Sequence, residues 1–453
     1  MTTMTTMKTT MTTRILGIEL RRSSAAVIGA LIAALGVAGL WLLVLSGQGE
    51  LWDRQWTLLA AFQRIMLVVL WPLALGGGAW QARRDRRCGV EELLGTTSLP
   101  TWRRMLPTAV ALAVCLVLGY VVTLAAGAVR VVGSTGYLPA GWLPIASVGA
   151  LALVAAGWLG MGLGRLIPSA YTPPVLVVAG FMVLLLPIQL AKSSEPGAAT
   201  LLAPNLTSDF DEFTTIAGSV SLAQSLWFTG LAGSGLLLVL VARRRAAIVA
   251  GVPALFGLLL AMPLLNAAPA SGLQPDQGAS AEVCTDDGGP KVCVTKAHEQ
   301  GLKSLTGPAR RALKLLAKLP DAPTSVHEVT GDRPGPQPAD QAWLHSDYYE
   351  SDRGWDAYSE DELVVNILAG AGTRPCEPVA FGPRAVAGAW LYGRYPAPGQ
   401  DLLPGEESAE RDAAWRTLRA LPAEEQLRRI TAVRTVELSC RGDAEAALTG
   451  GAR

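Results

Sequence analysis

The sequence predicts an α-helical polytopic membrane protein that ends in an α+β domain outside the cytoplasm. Half of its 453 residues are hydrophobic and 17% are charged, a balance too apolar for an ordinary soluble enzyme. Charge is distributed unevenly: the chain up to Ala270 contains 18 basic and 10 acidic residues, whereas the remainder contains 20 and 27. A basic, apolar part is therefore joined to an acidic, more polar part.

Seven segments are long and apolar enough to be transmembrane helices, since about 20 mostly apolar residues cross the hydrocarbon layer. The first six form a predicted six-helix core, and the seventh is an additional transmembrane helix. The second and sixth are the shortest, and prolines interrupt the seventh. The segments run over residues 25–45, 64–80, 106–129, 142–163, 173–191, 226–242 and 246–265.

Lysine and arginine are concentrated in alternate loops, which orients the helices because cytoplasmic loops carry more positive charge. With the N-terminus inside, most basic residues of the first part are cytoplasmic, and the outer loops hold Arg54, Arg130 and Lys192. Seven spans then place the C-terminal domain outside. The predicted domains are a disordered cytoplasmic N-terminus at 1–20, the six-helix core at 21–245, the seventh helix at 246–268 and the extracytoplasmic α+β domain at 269–453.

Four of the six cysteines fall in the predicted outer domain, where an oxidising environment permits disulfide bonds. Four cysteines allow three pairings. We favour Cys284 with Cys293, because the intervening sequence TDDGGPKV is rich in turn-forming residues, and this leaves Cys376 with Cys440. The alternative is that all four remain free thiols.

A charged segment lies between the second and third apolar segments and is expected in the cytoplasm. Its sequence Arg87-Cys88-Gly89-Val90-Glu91-Glu92-Leu93-Leu94 is followed by Thr96-Thr97 and resembles the coupling helix of type-2 ABC transporter permeases. The resemblance implies a coupling helix near 89–97 that docks in a groove on an ATP-binding subunit. It also implies that Glu91 and Glu92 make polar contacts there, that Leu93 and Leu94 are apolar anchors, and that Arg87 and Gly89 form the lead-in. One departure is that Ser98 stands where the family usually has proline, which is delayed here to Pro100.

The resemblance covers roughly residues 21–245 and implies an exporter-type permease in the bacterial cytoplasmic membrane. The chain has no Gly-x-x-x-x-Gly-Lys-Ser/Thr phosphate loop, and Gly301-Leu302-Lys303-Ser304 lacks the required Gly-Lys order. We therefore expect a non-catalytic subunit without a cofactor or metal of its own, with ATP and Mg in separate ABC ATPase subunits. A second permease, as a homodimer or heterodimer, and the lipid bilayer are the other expected partners; nucleic acid is not expected. The alternative is a membrane-anchored sensor or scaffold whose outer domain binds a ligand or protein.

Arg64 is the basic residue predicted to lie within a membrane span. A charge in that position is costly and often functional. The alternative is that Arg64, near the outer boundary, extends its guanidinium to the interface. Glycines at 76–78 and 157–164 indicate close helix packing.

The C-terminal domain shows mixed helix and strand patterns without a catalytic motif. His298-Glu299 begins like a zinc-protease motif, but Leu302 stands where the second histidine would be. Apolar residues from Leu302 to Leu316 recur at helical spacing, although Gly307-Pro308 can interrupt that helix. A second helix is predicted at 408–421, and strands are predicted at 362–368, 387–392 and 431–438.

Overall fold

The structure is a computed structural model and contains two compact units. The N-terminal unit comprises residues up to Val132 and from Leu138 to Asp276, and the C-terminal unit comprises 277–453 with 133–137. The predicted domain boundary at 268/269 lies slightly before this division, because Leu273–Pro275 pairs with a strand of the N-terminal unit. The structure describes residues 24–84, 101–134, 137–190, 197–206, 210–240, 248–329, 336–345, 349, 354–376, 379–400 and 406–451.

The N-terminal unit is built from helices and one small sheet. Thr214–Ile216 (β1) and Leu273–Pro275 (β2) pair antiparallel. A 3-10 turn, Val249–Gly251, precedes the last helix. The helices are Ser24–Leu45 (α1), Glu50–Asp53 (α2), Trp56–Ile65 (α3), Leu67–Ala82 (α4), Thr101–Ser134 (α5), Trp142–Leu166 (α6), Thr172–Leu190 (α7), Ala198–Leu201 (α8), Gly218–Leu240 (α9) and Val252–Asn266 (α10).

The long apolar segments form helices, as a multi-pass membrane protein requires. In the described part of the chain, five helices are long and apolar enough to cross a membrane, and they match the first, third, fourth, sixth and seventh predicted segments. The fifth segment forms α7. Its apolar stretch Thr172–Leu186, over which the side chains are described, is shorter than a full membrane span. The second segment corresponds to α3 and α4, whose axes are bent by 53° at a short break.

Two of the basic residues expected in the outer loops form ion pairs with acidic residues. Arg130 at the end of α5 lies 2.9 Å from the Asp53 carboxylate, which is 2% exposed. Arg54 lies 3.8 Å from Glu212. These pairs connect α2, α5 and the segment before β1 at one end of the helical unit.

The C-terminal unit contains a four-stranded sheet covered by helices. The strand order is β3 (Glu282–Cys284), β4 (Val292–Thr295), β5 (Ser325–Val329) and β6 (Gln341–His345). The first pair is antiparallel, whereas the β4–β5 and β5–β6 pairs are parallel. The helices are Leu302–Leu316 (α11), Glu360–Leu368 (α12), Phe381–Tyr392 (α13), Glu406–Arg419 (α14), Ala423–Ser439 (α15) and Ala444–Thr449 (α16).

Helix α11 is the crossover between the parallel strands β4 and β5. Its predicted apolar face is confirmed, since Leu305, Ala309, Leu313 and Leu316 are buried. The helix continues through Gly307-Pro308. Proline removes one backbone hydrogen bond, but Pro308 is itself buried in the same core. Burial of this face on both sides of the proline therefore keeps one helix.

The three predicted strands of this domain are wrong, because all three segments are helical. Residues 362–368 belong to α12, 387–392 to α13 and 431–438 to α15. Short apolar runs are compatible with either structure, so their flanking residues decide the outcome. The sheet is instead formed by four segments of three to five residues.

Local side-chain interactions near the first turn account for two of these helices, α12 and α15. The Ser359 side chain accepts a hydrogen bond from the Glu362 amide, and the Glu362 carboxylate accepts one from the Ser359 amide, which forms a capping box. Helix α15 begins after Pro422, and hydrogen bonds from Arg428 and Arg429 lower the pKa of the Glu425 carboxyl to about 2. Side-chain pairs at these spacings occur on helices and not along strands.

Candidate functional site

The predicted coupling segment joins two apolar helices. Helix α4 ends at Ala82 and helix α5 begins at Thr101. The Gln81 side chain near the end of α4 accepts a hydrogen bond from Ser24 at the start of α1. The predicted contact residues Arg87, Gly89, Glu91, Glu92, Leu93 and Leu94 lie outside the described residues.

Glycines allow the flanking helix α4 to lie directly against α6. A Cβ atom added to Gly78 would lie 2.9 Å from the Met161 amide nitrogen, and one added to Gly160 would lie 2.8 Å from the Leu75 carbonyl carbon. Such distances are shorter than any normal Cβ contact, so both positions require glycine. The predicted role of these glycines in close packing is confirmed.

The other flanking helix, α5, lies equally close to α1. A Cβ atom added to Gly29 would lie 2.5 Å from the Cys115 carbonyl oxygen, and one added to Gly119 would lie 2.5 Å from the Gly29 carbonyl oxygen. Small residues permit this backbone approach between membrane helices. Each end of the coupling segment is thus attached to a helix that is packed against a further helix.

Arg64 is fully buried next to the bend between α3 and α4. Its side chain is 0% exposed. Its Nε donates a hydrogen bond of 2.7 Å to the Pro204 carbonyl, and Nη2 donates one of 3.1 Å to Gln224 Oε1 on α9. The guanidinium therefore points into the helical unit and towards neutral partners.

The polar cluster around Arg64 extends to α5 and α6. Gln63 donates a 2.6 Å hydrogen bond to the Tyr120 carbonyl. Gly149 makes room for the cluster, since an added Cβ would lie 2.7 Å from Tyr120 Cζ and 2.8 Å from Arg64 Cδ. Gln224 also donates a 2.6 Å hydrogen bond to the Leu201 carbonyl. The cluster therefore holds the segment after α8 against α3 and α9.

The buried charge of Arg64 has neutral hydrogen-bond partners within the described ranges. Its Nη1 and the Tyr120 hydroxyl are both buried and have no hydrogen-bond partner there. A buried cation without a carboxylate partner is energetically costly. The functional role of Arg64 stays a prediction, for a side chain buried one residue before the end of α3.

The cysteines of the C-terminal unit are paired as predicted. Cys284 is bonded to Cys293 across the β3–β4 pair, and Cys376 is bonded to Cys440. Arg310 donates hydrogen bonds to Asp287 in the turn between β3 and β4 and lowers the pKa of that carboxyl to about 2. The described free thiol, Cys115, is buried in α5.

The histidine of the incomplete zinc motif has a structural environment. His298 is 2% exposed, its Nδ1 contacts the Glu328 carboxylate, and its ring stacks on Tyr349 with centroids 3.8 Å apart. Glu328 also accepts a 2.7 Å hydrogen bond from the Thr295 amide. His298 therefore joins strands β4 and β5 to the aromatic core.

A second histidine forms a hydrogen-bonded row across the sheet. His327 Nε2 lies 3.1 Å from Ser325 Oγ, and its Nδ1 lies 3.0 Å from Glu282 Oε1. This order of groups is also that of a serine nucleophile, base and carboxylate. The neighbouring cavity of about 160 Å³ is lined by Glu282 but by neither Ser325 nor His327.

Comparison of the chain with protein families, curated proteins and solved structures gives no match.

Proposed function

We propose that the chain is the membrane-spanning permease subunit of a bacterial ABC transporter of the exporter type. The proposal combines the apolar helices with the coupling-helix resemblance of residues 87–97. The observation that carries it is the position of this segment between α4 and α5, each of which is packed backbone-to-backbone on a further helix. A segment so placed can transmit movement into the helices.

The proposed mechanism is a rigid-body displacement of two helix pairs. ATP binding in the partner would move the coupling segment and, with it, α4 together with α6 and α5 together with α1. Closely packed helices move as units, because their interfaces leave little room for continuous deformation. ATP hydrolysis would reset the same displacement.

Arg64 would link this movement to the outer ends of the helices. It lies one residue before the end of α3, and its hydrogen bond to Pro204 joins the 53° bend to the segment after α8. A movement of α4 would therefore be transmitted through this hydrogen bond to the segment after α8. This gives Arg64 a positioning role between the coupling segment and the outer end of the helices.

The two disulfides support an extracytoplasmic location of the C-terminal unit, because disulfides persist in oxidising compartments. In this arrangement the unit would gate the pathway, recognise cargo or bind another envelope protein. Two ATPase subunits and a second permease would complete the transporter.

Co-purification of the chain with an ATPase tests the proposal. An ABC ATPase is expected to remain bound to the wild-type chain in mild detergent. The double variant Glu92→Ala/Leu94→Ala should reduce its recovery at least about tenfold, because truncating a central apolar anchor of an interface costs about 2 kcal/mol or more and about 1.4 kcal/mol corresponds to tenfold.

The matched control is Glu360→Ala/Phe381→Ala, which likewise removes one acidic and one apolar side chain; both control residues are exposed. These residues lie in the C-terminal unit, so ATPase recovery should be unchanged. Undiminished recovery with the coupling-segment variant would contradict the proposed docking. Recovery of a different regulator and no ATPase would favour the sensor or scaffold alternative.

A further inference from the structure

A cavity of about 360 Å³ lies in the N-terminal unit beside the first turns of α6 and α9. Its volume is within the range of about 300–1,000 Å³ that is usual for small-molecule sites. The small sheet of β1 and β2 closes one side. The lining includes Pro144, Ser147, Gly218, Leu222, Ser225 and Gln274.

The polar side chains that line this cavity are uncharged. Ser147 Oγ donates its proton to the Pro144 carbonyl at 2.9 Å, and Ser225 Oγ donates to the Ser221 carbonyl at 2.8 Å. Each hydroxyl oxygen therefore keeps its lone pairs for a ligand. A ligand that donates hydrogen bonds, such as a polyol, fits these oxygens better than a carboxylate or phosphate.

An apolar surface adjoins the polar lining. Leu222 lines the cavity and is 53% exposed, and Leu143, next to the lining residue Pro144, is 59% exposed. In the predicted topology these ends of α6 and α9 lie at the outer face of the membrane. Hydrocarbon chains can therefore lie along the leucines while a polar head enters the cavity.

We propose that this cavity binds a membrane amphiphile with an uncharged head group rich in hydroxyls, such as a glycosyl diacylglycerol. The inference that such a molecule is also carried by the protein rests on the proposed function, but its binding requires no ATPase. The residues that recognise the head group are Ser147, Ser225 and Gln274, and Leu222 contacts the chains.

The test is lipid retention by the full-length chain. Purified protein in phosphatidylcholine nanodiscs receives equal small amounts of glucosyl diacylglycerol and phosphatidylglycerol, and native mass spectrometry counts the lipids that remain bound. The wild-type chain should retain one glucosyl diacylglycerol in preference to phosphatidylglycerol. Methyl glucoside, which carries the head group without chains, should fail to displace it.

Gly218 allows the cavity to be filled without disturbing the fold. A Cβ atom added there meets no heavy atom within 4 Å. Gly218→Leu should lower retention of the glycolipid about tenfold or more, a loss of about 1.4 kcal/mol or more in binding, and Gly218→Ala should have a smaller effect. Gly251→Leu is the matched control, because Gly251 has equally open surroundings but does not line the cavity.

Retention lost in Gly218→Leu and kept in Gly251→Leu would support the site. Equal retention by Gly218→Leu and wild type, preference for phosphatidylglycerol, displacement by methyl glucoside or no retention by wild type would each overturn it. None of these results depends on an ATPase, so they are distinguishable from a failure of the permease proposal.

Discussion

Replacing Arg384 with methionine is expected to destabilise the C-terminal unit by about 3–5 kcal/mol, because the change leaves a buried carboxylate without its cation. Arg384 on α13 pairs with Glu437 on α15, and these side chains are 10% and 3% exposed. Arg384 also donates hydrogen bonds of 3.0 Å to the Arg374 carbonyl and 2.6 Å to the Thr373 carbonyl. Hydrogen exchange of α13 and α15 amides in the full-length chain measures the change in opening free energy.

The loss should depend on pH in a defined direction. Burial raises the pKa of the Glu437 carboxyl even beside Arg384, so its folded-state pKa exceeds the unfolded value of 4.5. A group with a raised folded-state pKa loses stabilisation as pH rises through the interval above 4.5. Without Arg384 this interval widens, and the variant should be less impaired at pH 5 than at pH 8.

Two further variants distinguish the loss of the buried ion pair from the general effect of replacing an arginine. Arg384→Met/Glu437→Met should recover most of the loss, since it removes both charges together. Arg311→Met removes a cation from an exposed pair, in which Arg311 lies 2.6 Å from Asp361 and the side chains are 50% and 45% exposed. It should cost less than about 1 kcal/mol. Equal losses for Arg384→Met and Arg311→Met would contradict the assigned role of the buried pair.

The second large effect is expected from Gly78→Ala at the contact of α4 and α6. The added methyl group would lie 2.9 Å from the Met161 amide nitrogen and 2.9 Å from the Gly157 carbonyl carbon. Overpacking of this kind typically costs about 1–3 kcal/mol or more. The melting temperature and monodisperse yield of the full-length chain in detergent should both fall.

The control for this prediction is Gly251→Ala in the same unit. No heavy atom lies within 4 Å of a Cβ added at Gly251, so the methyl group meets no obstacle. Its melting temperature should match the wild type or exceed it, because alanine restricts the unfolded chain. A Gly78→Ala protein as stable as this control would show that α4 and α6 are not packed as described.

The sequence predicts the long helices well because hydrophobic length is a local property. Segments such as 25–45 and 142–163 correspond to α1 and α6 within a few residues. The sequence does not predict helix α3, since Gln63 and Arg64 interrupt its apolar face. The predicted membrane span begins only at Arg64, near the end of this helix. The strand predictions at 362–368 and 387–392 are wrong because a short apolar run does not distinguish a strand from a buried helix. In the first of them, the pair Ser359 and Glu362 was the available signal for a helix.

Some features of the candidate sites could also be predicted from local sequence, whereas others could not. The disulfides could be predicted, because a turn-rich stretch and an even number of cysteines constrain the pairing. The inward direction of Arg64 could not, since its partners Pro204 and Gln224 are distant in sequence. The cavity beside α6 and α9 was also missed, because hydroxyls such as Ser147 and Ser225 come from separate helices and form no motif.

Site-specific photocrosslinking from position 94 tests the central claim, that this cytoplasmic segment docks on a separate ATPase. A benzoylphenylalanine introduced at Leu94 should crosslink an ABC ATPase in intact cells. The same residue at Leu138, which is 62% exposed between α5 and α6 and expected at the opposite face, should not. A crosslinked ATPase at position 94 alone is the predicted result; its absence there, or equal crosslinking from both positions, would contradict the permease assignment.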